Sequence, residues 1–306
     1  MRASGNSEAN VKSAVLVEEA RAKVNLTLRV VGRRTDGYHD LESVVAFGDC
    51  ADRLTLTAGP ELKLQIAGPL AEACGATADN LVLKAAHLLA ERVDGLKLGM
   101  FTLEKLLPVA AGIGGGSADA AAALRLLARL NDLALDDARL TEVALETGAD
   151  VPVCLASHAC DMTGVGEGLL PINLPKLPCV LVNPGVPVAT RDVFNALGLH
   201  RGGLLVGATD VIESLAWPDG GASISDWIKA LSVIGNDLEA PAIRIEPRIG
   251  AVLSALGEAE GVQLARMSGS GATCFALFAS RAEAQAAARK LLREHPAWWI
   301  HAGELS

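Results

Sequence analysis

The sequence is poor in aromatic residues: 306 positions hold five Phe, four Trp and a single Tyr. A core must therefore be assembled from Ala, Val, Leu and Ile, and each aromatic outside it invites a functional question. Positive charge is also short. With 27 Lys and Arg against 36 Asp and Glu the formal net charge is -9, which disfavours a nucleic-acid partner, since such binders draw most of their affinity from cations neutralising phosphates. Any anionic ligand must be held by a local arrangement. The six Cys, at 50, 74, 154, 160, 179 and 274, form no Cys-x-x-Cys pair. Neither a disulfide framework nor a Cys-based zinc site is expected, and reduced thiols in a cytoplasmic chain are the plain reading. Met1 to Asn10 is polar and no apolar run follows a basic start, so export is not expected. Long hydrophobic runs are broken: Leu106 to Leu124 by Pro108 and four glycines, Gly168 to Thr190 by five prolines. A membrane span of about 20 apolar residues would not carry so many breakers, and no membrane partner is expected.

Half of the residues are nevertheless hydrophobic, enough for one large or two ordinary domains. Residues alternate from Ala22 to Val30, with Lys23 and Asn25 on one face, as in a half-buried strand. Gly32 to Tyr38 is a turn, and Ser43 to Phe47, Arg53 to Thr57, Leu62 to Ile66 and Leu98 to Leu103 read as strands. Helical spacing runs from Leu81, capped by Asp79 or Asn80, and again from Ser117 to Leu130 and Asp136 to Thr147. Val153 to Leu155, Cys179 to Val182 and Cys274 to Phe278 read as strands. Helices are expected at Arg191 to Leu197, Ser225 to Leu231, Ile249 to Ala255 and Ala282 to Arg293. Strands and helices interleave without a βαβ repeat, which points to an α+β fold. Arg201 to Gly221 reads as a surface excursion. The expected domain boundary lies near Gly164 to Pro171, giving domains at 1-165 and 166-306.

The segment Pro108, Val109, Ala110, Ala111, Gly112, Ile113, Gly114, Gly115, Gly116, Ser117, Ala118 concentrates four glycines before an Ala-rich helix. Bare backbone N-H groups and the positive end of a helix dipole at one point suit a phosphate. A tight turn for close helix packing explains the glycines about as well. The apolar helix behind them favours the phosphate, because a buried helix start needs partners for its free N-H groups. Three familiar phosphate sites are excluded. No Gly-Lys dipeptide exists for a Walker A loop, Ser117 stands where the dinucleotide fingerprint needs its last glycine, and neither His-Arg-Asp nor Asp-Phe-Gly occurs. Two further glycine-rich turns, Gly164 to Gly168 and Met267 to Ala272, suggest backbone approaching a ligand closely, with Gly269 and Gly271 as added N-H donors.

ARAKVN at Ala20 to Asn25, EKLLPVAAGIGGGSADAAAAL at Glu104 to Leu124 and RMSGSGATCFALF at Arg266 to Phe278 resemble the three motifs of the GHMP small-molecule kinases. GRRTDGYHDLESV at Gly32 to Val44 and TGADVPVCL at Thr147 to Leu155 are similar to the branch of that family whose acceptor is a cytidine diphosphate conjugate of a sugar alcohol. The likeness runs from about Ala20 to Phe278. It implies a two-domain fold, ribosomal-protein-S5-like then ferredoxin-like, with the site in the cleft between them. It implies ATP as phosphoryl donor, Mg²⁺ as cofactor, and small-molecule rather than nucleic-acid partners. It places catalysis on Asp150, as base, and on Lys23. The ordinary use of an Asp near Gly is a turn or cap, and an exposed strand lysine is commonplace; the resemblance is what tips both.

The resemblance further implies that Tyr38 and His39 meet the cytosine ring, one stacking and one hydrogen-bonding, with Phe194 as a second stacking surface and Asn25 beside the acceptor. Ser117 is expected to cap its helix, and its hydroxyl is a candidate for Mg²⁺ or a phosphate, although the metal ligands stay open. Asn80 and Lys105 are weaker candidates near the adenine. Where many relatives read Gly-Arg-Gly-Glu, this chain has Gly164, Val165, Gly166 and Glu167, so any contact of that Arg is missing or replaced. Two other readings stay open: a kinase of mevalonate or homoserine, and a nucleotide-binding regulator without turnover, against which the presence of both Lys23 and Asp150 speaks.

Overall fold

The computed structural model describes residues 15–204, 217–218 and 220–306. The polar start at Met1 to Asn10, and most of the excursion expected between Arg201 and Gly221, lie outside the described residues. The α+β expectation holds. Strands β1 (Val15–Asn25), β2 (Arg29–Arg33), β3 (His39–Gly59), β4 (Lys63–Ala67) and β5 (Leu98–Glu104) frame helix α1 (Leu81–Arg92). Helices α2 (Gly115–Leu130), α3 (Ala138–Thr147) and α4 (Val151–Ala156) follow, then the hairpin β6 (Cys160–Gly164) and β7 (Gly168–Pro171). The rest contributes β8 (Leu177–Asn183), the short helix α5 (Thr190–Asn195), three helices at Ile224–Ser232, Glu239–Ile245 and Arg248–Gly257, then β9 (Val262–Met267), β10 (Cys274–Phe278), the helix Arg281–Glu294 and β11 (Trp299–Leu305).

The sheet path is β4-β5-β3-β11-β8-β10-β9, with β1, β2 and β6 also on β3, and β7 on β6. Only β4 and β5 run parallel among these pairs. β3 joins the two halves, since Leu305 of β11 pairs with its Gly48. Three cores result. One is drawn from residues between Ala20 and Met162, with α1, α2 and α3 against β1, β3 and β5. A second joins Leu28 and Val30 to the C-terminal helices and strands. The third, around Val24, Leu26, Phe275 and Trp227, is built from both halves. A division at 165/166 would cut the hydrogen-bonded β6–β7 hairpin; we propose to place it in the connection 172–176. No helix among the described residues is long and apolar enough to cross a membrane.

Three local expectations are corrected. The alternation from Ala22 to Val30 is not one strand: β1 ends at Asn25 and β2 begins at Arg29. Nor is it half-buried, because every residue from Ala22 to Leu28 is buried; the polar face meets the glycine loop rather than water. The register of β1 on β3 also slips between Arg21 and Lys23, and a one-residue slip decides which face a side chain takes. Val153 to Leu155 is helical rather than a strand. Pro152 stands in the first turn of α4, where its fixed φ is pre-set for a helix and its missing N-H costs nothing. Finally, α2 opens two residues before Ser117, with Gly114 as N-cap at φ 63°.

Candidate active site

The glycine loop leaves β5 through Lys105 and Leu106 and turns back on itself before α2. Gly114 takes a left-handed conformation, which an L side chain adopts only at a cost, and its own position is tight: a Cβ there would stand 3.2 Å from the Cβ of Lys23. A Cβ on Gly112 would stand 2.5 Å from the Ser268 carbonyl oxygen, so this glycine lets the loop press against the turn Met267 to Ala272. The glycines thus differ in their local roles. Gly112 and Gly114 serve the packing, and Gly115, Gly116 and Ser117 form the first turn of α2, whose N-H groups have no partner in the preceding turn. The first intrahelical bond shown is from Ala118 N to Gly114 O at 2.8 Å.

That helix start opens on a cleft of about 520 Å³. Of the expected ATP-binding residues, Ala110, Ala111, Gly112, Gly114, Gly115, Gly116 and Ser117 line it. Pro108, Val109, Ile113 and Ala118 do not: Ile113 and Ala118 are core residues. The Ile113 carbonyl accepts the Lys23 N-H at 2.9 Å, which pins the loop to β1. Gly269 and Ser270 line the opposite side. The N-H of Gly271 is committed to the Ser268 carbonyl at 3.0 Å, so it is not a free donor. Ser117 does not cap α2, because it is the third residue of that helix.

Lys23 and Asp150 also line the cleft, and the Lys23 Nζ donates to the Asp150 Oδ1 at 2.9 Å. Asp150 occupies the N-cap position of α4 yet makes no side-chain cap hydrogen bond, so its carboxylate is free for the lysine. The two ends of the pair differ in access: the Lys23 side chain is 4% exposed and that of Asp150 42%. Asn25 lies two residues along β1, 1% exposed. Its Nδ2 donates to the Ser43 Oγ at 2.8 Å, while its Oδ1 is buried without a partner.

Of the residues expected to meet the base, the structure brings two together. His39 and Phe194 stack with ring centroids 4.6 Å apart, and Phe194 lines the cleft from α5. Burial first, and the Arg33 guanidinium second, hold His39 below the usual imidazole range. Its Nε2 is buried without a partner. Tyr38 is not in that stack; it stands 60% exposed on the turn between β2 and β3.

Neither weaker adenine candidate reaches the cleft wall. Asn80 caps α1, its side chain accepting from the Val82 N-H at 2.9 Å. Lys105 is buried behind the loop, its Nζ 2.5 Å from the Asp52 Oδ2 and 2.7 Å from the Asp119 Oδ2. Burial opposes charge on Lys105, but the two carboxylates outweigh it and raise its pKa. Asp119, pushed by burial first and by the Asp52 charge among others, rises to about 7. Sequence reading missed Asp52, Asp119 and the inter-motif hydroxyl Ser268, whose Oγ donates to the Gly112 carbonyl at 2.9 Å and accepts the Asn25 N-H. A lone Asp inside an alanine run was the available signal for Asp119. Among the described residues no group of three His, Cys, Asp or Glu side chains is set to hold a metal ion. A second cavity of about 530 Å³, between the helices Arg248–Gly257 and Arg281–Glu294, is lined largely by alanine with Glu260, Glu283 and Lys290; a Ser280–Glu283 capping box closes the helix start there, and Lys290 pairs with Glu294, outside the lining, at 4.0 Å.

The model of the GHMP kinases N-terminal domain matches residues 80–158, and that of the GHMP kinases C-terminal domain residues 221–297. The 4-diphosphocytidyl-2-C-methyl-D-erythritol kinase of Bradyrhizobium diazoefficiens is 73% identical over 95% of this chain and 98% of its own length. The enzyme of that name from Rhodopseudomonas palustris is 68% identical over 95% of this chain and 97% of its own. Among solved structures, a 4-(cytidine 5'-diphospho)-2C-methyl-D-erythritol kinase superposes with a TM-score of 0.73 at 34% identity, covering 95% of this chain and 99% of that one. Mevalonate kinase of L. major in complex with R-mevalonate reaches 0.68 at 17% identity, over 97% of this chain and 98% of that one, and speaks for the fold alone.

Proposed function

The chain belongs to the 4-diphosphocytidyl-2-C-methyl-D-erythritol kinases of the GHMP family, and from that premise we propose that it phosphorylates the 2-hydroxyl of 4-diphosphocytidyl-2-C-methyl-D-erythritol with ATP. The step belongs to the non-mevalonate route to isoprenoid precursors. The observation that carries this reading is the Lys23–Asp150 pair at 2.9 Å, opening on the same cleft as the free start of α2.

Phosphoryl transfer to an alcohol asks for positioning, for donors to the charged phosphates and for an acceptor of the hydroxyl proton. The N-H groups at the start of α2 hold the phosphates. Asp150, the wetter partner, takes the proton of the acceptor hydroxyl as its oxygen bonds to the γ-phosphorus and the bond to the leaving ADP oxygen breaks. The buried Lys23 ammonium orients that carboxylate and faces the transferred group. Asn25 Oδ1, an unpaired buried acceptor, receives a hydrogen bond from the acceptor's polyol, because leaving it unpaired would cost about 1–3 kcal/mol. The lowered pKa of His39 keeps its ring neutral at pH 7, suited to hydrogen-bonding a neutral base beside Phe194. Tyr38, on the exposed turn, is the third member of the base site.

Mg²⁺ is usually bound through one or two carboxylates plus substrate phosphates and keeps several waters, although in P-loop NTPases a Ser or Thr hydroxyl serves as a protein ligand. The cleft-lining Ser117 hydroxyl fits that modest demand, and Ser117 would hold the ion against the nucleotide. When bound, the ion neutralises charge on the phosphates.

A coupled ADP-release assay over a panel of acceptor alcohols tests the reading. Turnover is expected with the cytidine diphosphate compound and not with mevalonate or homoserine; release of ADP with either of those at comparable kcat/KM would overturn it.

A further inference from the structure

Glu167 lies outside the cleft, yet its carboxylate is bonded on both sides. The Oε1 accepts from Arg34 Nη2 at 2.9 Å, and the Oε2 accepts the N-H of Val165 in its own turn. Folding back in this way requires a glycine at 164, where a Cβ would stand 2.6 Å from the carboxylate carbon. Each partner leads to a different part of the site. Val165 lines the cleft. The neighbouring Gly166, at φ 110°, presses on the residue before Asp150: a Cβ there would stand 2.5 Å from the Ala149 carbonyl oxygen.

Arg34 leads the other way. Its Nε donates to the Asp40 Oδ1 at 2.6 Å, so the guanidinium is held by two carboxylates. Its backbone N-H donates to the Tyr38 carbonyl at 2.7 Å, and its carbonyl accepts from Gly37 at 3.1 Å, closing the turn that carries Tyr38 and His39. Arg33 ties the far side of the same turn to the Leu199 carbonyl at 3.0 Å. On the Asp150 side, the side-chain tie is Glu167.

We propose that Glu167 is a positioning residue for the acceptor: through Arg34 and the Val165 N-H it fastens the turn bearing Tyr38 and His39 to the turn that braces Asp150. The proposal rests on the reading of Tyr38 and His39 as the base site. An exposed ion pair contributes little to overall stability, so the loss should appear in binding of the base and its attached chain, where the turn must otherwise be ordered at the moment of binding.

The test uses the full chain, with CDP as probe in calorimetry and the cytidine acceptor and ATP in steady-state kinetics. Glu167→Gln, Glu167→Ala and Arg34→Ala should each weaken CDP binding and raise the acceptor KM by roughly three- to tenfold, the net range of one hydrogen bond. The KM for ATP should stay within about twofold and kcat should change less than the acceptor KM. The double variant Arg34→Ala with Glu167→Gln should be no worse than the worse single one, since both remove one contact. CDP binding equal to the parent's in all singles, or losses that multiply in the double variant, or an equal rise in both KM values, would overturn the clamp while leaving the base site standing. A parent that binds no CDP would overturn the base site and the clamp with it. Should Glu167→Ala fail to fold, Glu167→Gln preserves the shape of the side chain and decides the matter.

Discussion

Two lysine–carboxylate clusters flank one glycine loop, and they are built alike but sealed differently. In front, Lys23 meets Asp150, whose side chain is 42% exposed. Behind, Lys105 is shared by Asp52 and Asp119, with side chains 3%, 0% and 4% exposed. The Asp52 Oδ1 also accepts the N-H groups of Leu106 and Leu107, which fixes the strand end from which the loop departs. A pair whose carboxylate stays partly exposed can take a proton from a ligand. A fully buried cluster can only hold shape, and it does so at the cost of desolvating the Lys105 and Asp52 charges while Asp119 is held toward its protonated form. On the proposed reading, access rather than residue type separates chemistry from scaffolding.

The largest effect expected from this contrast is on turnover. Asp150→Asn should lower kcat by roughly 10²- to 10⁴-fold, the usual span for removing a positioned general base, while the chain stays folded because Asn can still accept from Lys23. A single-turnover experiment within tenfold of the parent would break the assignment. Lys105→Met should act in the opposite manner. It leaves two carboxylates buried without their cation, which costs about 3–5 kcal/mol, read as a shift in urea midpoint. A loss under about 1 kcal/mol would show that the rear cluster is not structural.

The two clusters were also unequally legible. The front one was found because Lys23 and Asp150 fall inside motifs, and the alternation around Lys23 marked its polar face. That alternation misled about burial, since a polar face covered by a glycine loop and one covered by water read alike. The rear cluster leaves little local pattern beyond the lone Asp119 in its alanine run: Asp52, Lys105 and Asp119 come from β3, the end of β5 and α2, and meet only through the fold. The same limit explains α4. A short run such as Val153 to Leu155 has no periodicity that separates a strand from a buried helical turn; Pro152 was the better signal. Helices α1 and α3, long and regularly spaced, were legible to within a residue or two; the stack of His39 on Phe194 and the outward placement of Tyr38 were not, because both depend on how the turn packs.

Acidity gives an intermediate test of the rear cluster. The Asp119 carboxyl is held up at about 7, whereas in the unfolded chain it ionises near 3.9. Between those values the native state binds the extra proton, so its contribution to stability is full below about pH 4 and is lost as pH rises toward 7. The slope cannot exceed about 1.4 kcal/mol per pH unit. The difference in unfolding free energy between the parent and Asp119→Asn should therefore change across pH 4 to 7 and flatten above it; a difference flat throughout would mean that Asp119 is ionised in the native state at all these values.

The smallest effects should come from the adjacent glycines that face the two clusters. An alanine at 114 would keep a left-handed residue, at a cost of about 1–2 kcal/mol, and would crowd the stem of Lys23, so Gly114→Ala should lose both stability and turnover. An alanine at 115 stands in helical backbone, where it is favoured over glycine by about 1 kcal/mol. Its nearest neighbour, at 3.3 Å, is the Nζ of Lys105, which two carboxylates hold in place, so the slight displacement it needs offsets the helix gain. Gly115→Ala should therefore be close to neutral in thermal midpoint and, since a methyl does not block a backbone N-H that points along the helix axis, raise the KM for ATP by no more than about threefold. A larger penalty at 115 than at 114 would reverse the contrast: it would mean that the rear ammonium, and not the front one, sets the position of the loop.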